Sequence, residues 1–162
     1  MQTHGLVKVV RVGRAEVPQF MEFLSRDAQT ALPGQAGGPE AFRRGFAQSL
    51  EAFDFLGSDS YWLLAAELEG QYVGYLSAVR IPKVDGRIGV LFVDELMVLP
   101  AYRRRGAASA LWREALAIAV EIRAWRIRLL VEADNPAARA FYRKVGMAEV
   151  ELVLCQREPG AK

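Results

Sequence analysis

Cysteine and histidine are almost missing from this 162-residue chain: it carries one of each, Cys155 and His4. A lone cysteine excludes an intrachain disulfide, so the fold must stand on packing, which fits a reducing cytosol. Cys155 is expected in the core of the last strand. One histidine near the start leaves no parts for a histidine–cysteine metal site or a Ser-His-Asp triad, and no metal is expected. Long apolar runs are lacking too. None is long enough to span a bilayer, and MQTHGLVKVVRVGR has no signal-peptide core. The expectation is a cytoplasmic protein with no membrane partner. Excess charge is also absent: 21 Lys+Arg against 19 Asp+Glu leave +2. Bulk electrostatics therefore gives no argument for nucleic acid.

What is present is ordinary for a globular protein, 52% hydrophobic and 25% charged. The length suits one domain over residues 1–162. Residues 6–12 (LVKVVRV) read as a strand, and residues 15–28 as a helix with Val17, Phe20, Phe23 and Leu24 at helical spacing. Residues 32–39 (LPGQAGGP) are a loop. A second helix spans 40–56, with Phe42, Phe46, Leu50 and Phe53 on one stripe. That stripe reads first as core; the alternative is that part of it lines a substrate pocket. Residues 60–68 and 71–82 read as strands joined at Glu69-Gly70, and Asp85-Gly86 turns into a third over 88–98. A helix follows over 105–122, with Leu111, Trp112, Ala115 and Ile118 in its stripe. Then come a strand over 125–131, buried by its apolar look, a helix over 135–145 stopped by Gly146, and one or two strands over 147–156. The strand-helix-strand piece from 91 to 131 is a parallel crossover in an otherwise antiparallel sheet. A mixed α/β (α+β) sheet with helices on both faces follows.

Three constellations could carry chemistry. Residues 93–108 (VDELMVLPAYRRRGAA) run from a strand through a turn into a helix. The N–H groups of a helix's first turn point outward and its dipole favours an anion. Gly106 and Ala108 are small enough for a ligand to approach, and Arg103, Arg104 and Arg105 could pair with phosphate oxygens. No P-loop or dinucleotide fingerprint is present. The plain alternative is a solvated basic helix start. The second constellation is residues 135–147 (NPAARAFYRKVGM): Asn135 suits an N-cap, Pro136 the first helical position, and Tyr142 lies two turns along the same face. The third is Asp94-Glu95. Successive strand residues face opposite sides, so at most one can enter a given cleft, as a general base.

Together and in this order, these features resemble the GNAT superfamily of acyl-CoA-dependent N-acetyltransferases. ELMVLPAYRRRGAASAL is similar to its cofactor motif, [Q/R]-x-x-G-x-[G/A], at Arg103, Gly106 and Ala108, and EADNPAARAFYRKVGM looks like the motif that follows. The resemblance implies a GNAT fold: a mostly antiparallel sheet of about six or seven strands, with central strands splayed around the cofactor. It implies acetyl-CoA as co-substrate, with the backbone of Leu96, Met97 and Val98 on the pantetheine arm and acetyl carbonyl. The amides from Arg103 through Ala108, Ala107 included, would wrap the pyrophosphate, and Asn135 would contact or order the pantetheine. Tyr142 would sit near the thioester sulfur as general acid. Glu95 is the first candidate for the base and Asp94 the second.

The expected reaction is direct acetyl transfer from acetyl-CoA to a primary amine of a small molecule. A non-catalytic acyl-CoA-binding or regulatory module, or acetylation of protein N-termini or lysines, is the alternative, and a homodimer stays open. The acceptor pocket is expected from residues 15–56 and 147–158, with Glu51, Asp54 and Asp59 drawing a cationic amine and Tyr61 and Trp62 as walls.

Overall fold

The computed structural model of the chain describes residues 6–27 and 38–160. His4 and loop positions 32–37 lie outside them, as does the side chain of Phe42. Five strands form one sheet in the order β1 (Lys8–Arg11), β2 (Tyr61–Leu68), β3 (Gln71–Ile81), β4 (Val90–Val98), β5 (Arg126–Leu129). Neighbours are antiparallel except β4 and β5, which are parallel. The helices are α1 (Val17–Asp27), α2 (Gly38–Ala52), α3 (Ala107–Glu121) and α4 (Pro136–Lys144).

The β2–β3 hairpin turns where the sequence places it, with Glu69 at φ 55° and Gly70 at φ 78°. Two successive left-handed residues match the twist of the flanking strands. Alternation then gives the sheet two apolar faces. Leu63, Ala65 and Tyr75 join Phe20, Phe23 and Leu24 of α1 in one cluster, with Phe46 of α2 against it. The opposite positions, Leu64, Leu76 and Leu91, lie beneath α3, whose Leu111, Trp112 and Ala115 are buried. Each of these buried leucines stabilises the fold by about 1.5–3 kcal/mol. Helices thus flank the sheet on both faces. Gly74 is required by a close approach, since a Cβ there would stand 2.5 Å from the Met97 carbonyl oxygen of β4.

The chain divides into two compact units, residues 6–130 with the sheet and α1–α3, and residues 131–160 with α4. Three expectations change. Among the described residues the sheet has five strands and none after Leu129, so 147–156 forms no strand. Its alternating apolar residues, Val150 and Leu152 among them, are exposed, because strand propensity without a ladder partner makes no strand. Cys155 is accordingly an exposed free thiol rather than a core residue. Strand β5 is not buried: Arg126 and Arg128 point to solvent, as fits an edge strand. No helix among the described residues is long and apolar enough to cross a membrane.

Candidate active site

The two ends of β4 are paired differently. Residues 90–93 lie between β3 and β5, from Val90 opposite Arg126 to Val93 opposite Leu129. From residue 94 onward β4 pairs, among the described residues, with β3 alone. A bulge marks the change: Ala78 faces Val93 and its neighbour Ser77 faces Glu95, so Asp94 is the extra residue. A bulge bends its strand and sharpens the twist, which turns the second half of β4 away from the course of β5.

The hydrogen-bond pattern tells which groups of that open edge are exposed. Leu99 N–H donates to Val73 O at 2.9 Å. Backbone groups alternate sides along a strand, so Met97 and Glu95 are turned towards β3, and Leu96 and Val98 towards the open edge. On that edge the Val98 carbonyl accepts from Arg103 Nε at 3.1 Å.

The chain then makes a 3₁₀ turn over Pro100–Tyr102 and passes through left-handed backbone at Arg104 (φ 64°) and Gly106 (φ 91°). Gly106 is the N-cap of α3, and no side chain caps it. The first intrahelical bond runs from Ala110 N–H to Gly106 O at 2.9 Å. The amides of Ala107, Ala108 and Ser109 therefore have no intrahelical acceptor, and the dipole favours an anion in front of them. The room there is open, since a Cβ on Gly106 would meet nothing within 4 Å. Two of the three arginines have intramolecular work. Arg103 holds Val98, and Arg105 pairs with Glu69 at 3.0 Å and lies over the Tyr102 ring at 5.5 Å. No ion pair is found for Arg104 among the described residues.

Between the sheet and helices α1 and α2 lies a cavity of about 520 Å³. Its upper wall is aromatic: Phe20 to Phe46 at 5.4 Å between ring centres, Phe46 to Phe55 at 6.0 Å, Phe55 to Tyr61 at 4.9 Å. Its floor is the sheet face carrying Tyr61, Leu63, Tyr75, Ser77 and Glu95. Polar groups gather there. The Tyr75 hydroxyl donates to Glu95 Oε2 at 2.8 Å. Ser77, 3% exposed, presents its hydroxyl to the Tyr61 phenol in a contact short of a well-formed hydrogen bond. Burial foremost raises the Tyr61 phenol above its ordinary pKa; Ser77 opposes this, and the negative charges of Glu95 and Asp94 add to it.

Of the expected acids, Glu95 lines this cavity and Asp94, on the bulge, does not. Glu51, Asp54 and Asp59 are exposed and do not line it, and Asp54 pairs with Arg14 at 2.9 Å. Tyr61 is a wall as expected, whereas Trp62 is buried and does not line the cavity. Phe46 and Phe53, half of the stripe read first as core, line it too, and Phe53 is 73% exposed. Sequence reasoning missed Tyr75 and Ser77. Their signal was a serine two places from a tyrosine in the apolar middle of the strand, YVGYLSAV.

The second unit builds α4 from its own cap. Asn135 Oδ1 accepts from Ala138 N–H at 3.1 Å, and Pro136 takes the first helical position. The helix ends with Met147 N–H on Tyr142 O at 2.9 Å and Gly146 at φ 88°. Glu149 closes the unit, bound by Arg139 at 2.7 Å and Arg143 at 2.8 Å, and these guanidiniums, Arg139 first, hold its pKa below the usual carboxylate value. Tyr142 packs against Phe141 with ring centres 5.3 Å apart, and burial raises its phenol above its ordinary pKa. It therefore keeps its proton at neutral pH.

A sequence model of the Acetyltransferase (GNAT) family matches residues 19–147. The chain belongs to this family. An uncharacterized N-acetyltransferase of Mycobacterium tuberculosis is 36% identical over 84 residues, which is 52% of this chain and 51% of that protein. The chain thus matches about half the length of this curated relative. Among solved structures, the aminoglycoside N-acetyltransferase AAC(6')-Iy in complex with CoA superposes with a TM-score of 0.73 at 15% identity, over 98% of this chain and 99% of that one. An aminoglycoside acetyltransferase from an uncultured soil metagenomic sample gives 0.72 at 25% identity, over 94% and 99%.

Proposed function

We propose that the protein is an N-acetyltransferase that moves an acetyl group from acetyl-CoA directly to a primary amine of a small molecule. The observation that carries this is the placing of Glu95. The carboxylate stands in the cavity, held by Tyr75 at 2.8 Å, on the same strand half whose edge is unpaired. The family match and the CoA complex of a structural neighbour support the co-substrate.

The residues fit acetyl-CoA. Leu96 and Val98 offer backbone groups on the open edge for the pantetheine arm and acyl carbonyl. The uncapped amides of Ala107 and Ala108 lie at the α3 start, with Arg103, Arg104 and Arg105 around them, and suit a pyrophosphate. Asn135 would contribute its carboxamide nitrogen, its oxygen being engaged in the cap. Acetyl-CoA supplies an activated acyl carbon and a thiolate leaving group.

The acceptor amine has a pKa of about 10, so it arrives as an ammonium. Glu95, or a water it orders, takes one proton and frees the nitrogen lone pair. The N–C bond then forms at the thioester carbon, where an edge amide of β4 stabilises the developing oxyanion. The C–S bond breaks, and Tyr142 protonates the departing sulfur. The product nitrogen loses a second proton, which restores Tyr142, and one proton passes from Glu95 to solvent.

Acetyl-CoA consumption across an amine panel tests this. Glu95→Gln should lower kcat by roughly 10²–10⁴-fold while acetyl-CoA still raises the Tm. No turnover with any amine, despite acetyl-CoA binding, would make the chain a binding module instead.

A further inference from the structure

The cavity over Glu95 also constrains what kind of amine can enter. Three properties decide. First, its wall is a continuous set of aromatic rings, from Phe20 through Phe46 and Phe55 to Tyr61, with Phe20 edge-on to Tyr75 at 5.7 Å. Second, apart from Ser49 of α2, whose hydroxyl donates to the Gly45 carbonyl at 2.9 Å, its polar side chains lie together on the sheet floor: Glu95, the two tyrosine hydroxyls and Ser77. Third, Glu95 is the only carboxylate among the described residues that line it, and none of them is cationic.

A ligand that fits must carry one ammonium at one end and an apolar body behind it. The volume, about 520 Å³, is that of a pocket for a small organic molecule. A polyamine would place its second and third ammonium groups against phenylalanine rings, where no carboxylate answers them. An aminoglycoside carries more hydroxyls and amines than Glu95, the two tyrosines and the two serines of the cavity can answer, and each one left unpaired costs about 1–3 kcal/mol. An aromatic or alkyl tail would instead gain ring contacts of about 0.5–1.5 kcal/mol per aromatic pair beyond area burial.

On the N-acetyltransferase reading, we infer that the acceptor is an amphiphilic primary monoamine, an arylalkylamine or a medium-chain alkylamine, with its amine at Glu95 and its tail among Phe20, Phe46 and Phe55. The two structural neighbours above carry aminoglycoside acetyltransferase in their names. Their likeness to this chain is one of fold.

The test has two arms on the 162-residue chain. In the first, kcat/KM is measured for phenethylamine, tryptamine and hexylamine against spermidine and kanamycin. The expected result is a preference of at least roughly tenfold for the first three, and Phe46→Asp should erase it through KM. In the second, calorimetry follows phenethylamine and kanamycin binding without acetyl-CoA; phenethylamine should bind, and Phe46→Asp should abolish this while leaving acetyl-CoA binding intact. Transfer to spermidine or kanamycin in preference to the monoamines would overturn the acceptor class and leave the N-acetyltransferase reading standing. Monoamine binding lost in Phe46→Asp, but with no turnover of any amine, would uphold the acceptor site and overturn the enzyme. Failure of the monoamines both to bind and to react would overturn the acceptor class.

Discussion

Residues 90–93 and residues 94–98 belong to one strand, yet they live in different surroundings. The first four are closed on both edges, by β3 and by β5, and Val90, Leu91 and Val93 are at most 2% exposed. Among the described residues the last five have no strand on one edge, and Asp94 and Glu95 are exposed. What separates them is one inserted residue. With Asp94 bulged out, Val93 stays with the α3 face and Glu95 comes up on the α1–α2 face, beside Tyr75 and Ser77. The lesson is that a strand can be core at one end and chemistry at the other with no change of fold. A single bulge opens its edge and aims its carboxylate.

Deleting Asp94 breaks this difference most directly. The ladder can then run on regularly, with Val93 opposite Ala78 and Glu95 still opposite Ser77, but without the bend. The protein should remain folded by circular dichroism and lose most of its acetyl-CoA-induced rise in Tm. An unchanged rise would show that the bulge does not shape the cofactor slot.

A smaller effect is expected where the open edge meets α3. Gly106 is left-handed, so Gly106→Val imposes backbone strain of about 1–3 kcal/mol and puts bulk beside the Ala107 and Ala108 amides. Arg104→Ala removes one flexible charge, worth about 0.2–1 kcal/mol at an exposed position. Acetyl-CoA affinity by calorimetry should therefore fall more in Gly106→Val than in Arg104→Ala. The reverse order would mean that the arginines, not the amides, hold the phosphates.

The smallest effect concerns the second unit. The pKa of Glu149 is depressed in the folded protein by Arg139 and Arg143. Its contribution is thus fully present above the unfolded glutamate value, about 4.3, and is lost as pH falls through the lower folded value. Hydrogen exchange of the α4 amides should quicken modestly as the pH is lowered in that range, after correction for intrinsic rates. Glu149→Gln should flatten that dependence; a dependence unchanged in the variant would assign it to another group.

Much of this was legible in the sequence because it rests on local chemistry. Glu69-Gly70 signals a tight hairpin and Asn135-Pro136 a capped helix; each needs only its neighbours. What was not legible depends on partners far along the chain. The alternation in EVELVL is a strand pattern, but a strand also needs a ladder, and none forms there among the described residues. Cys155 is exposed for the same reason. The phenylalanine stripe of α2 showed an apolar face without saying whether it would meet filled core or a cavity. Glu95 could be named as the better of two acids only from the resemblance; its Tyr75 contact joins residues twenty apart through the β3–β4 register.

Amide exchange at single-residue resolution tests most directly whether acetyl-CoA docks on the open edge of β4. Leu96 and Val98 should exchange in the free protein and slow on addition of acetyl-CoA, as their N–H groups find an acceptor. Met97, already turned to β3, should be protected in both states. Equal exchange at Leu96 and Val98 with and without saturating acetyl-CoA would contradict the docking of the co-substrate on this edge.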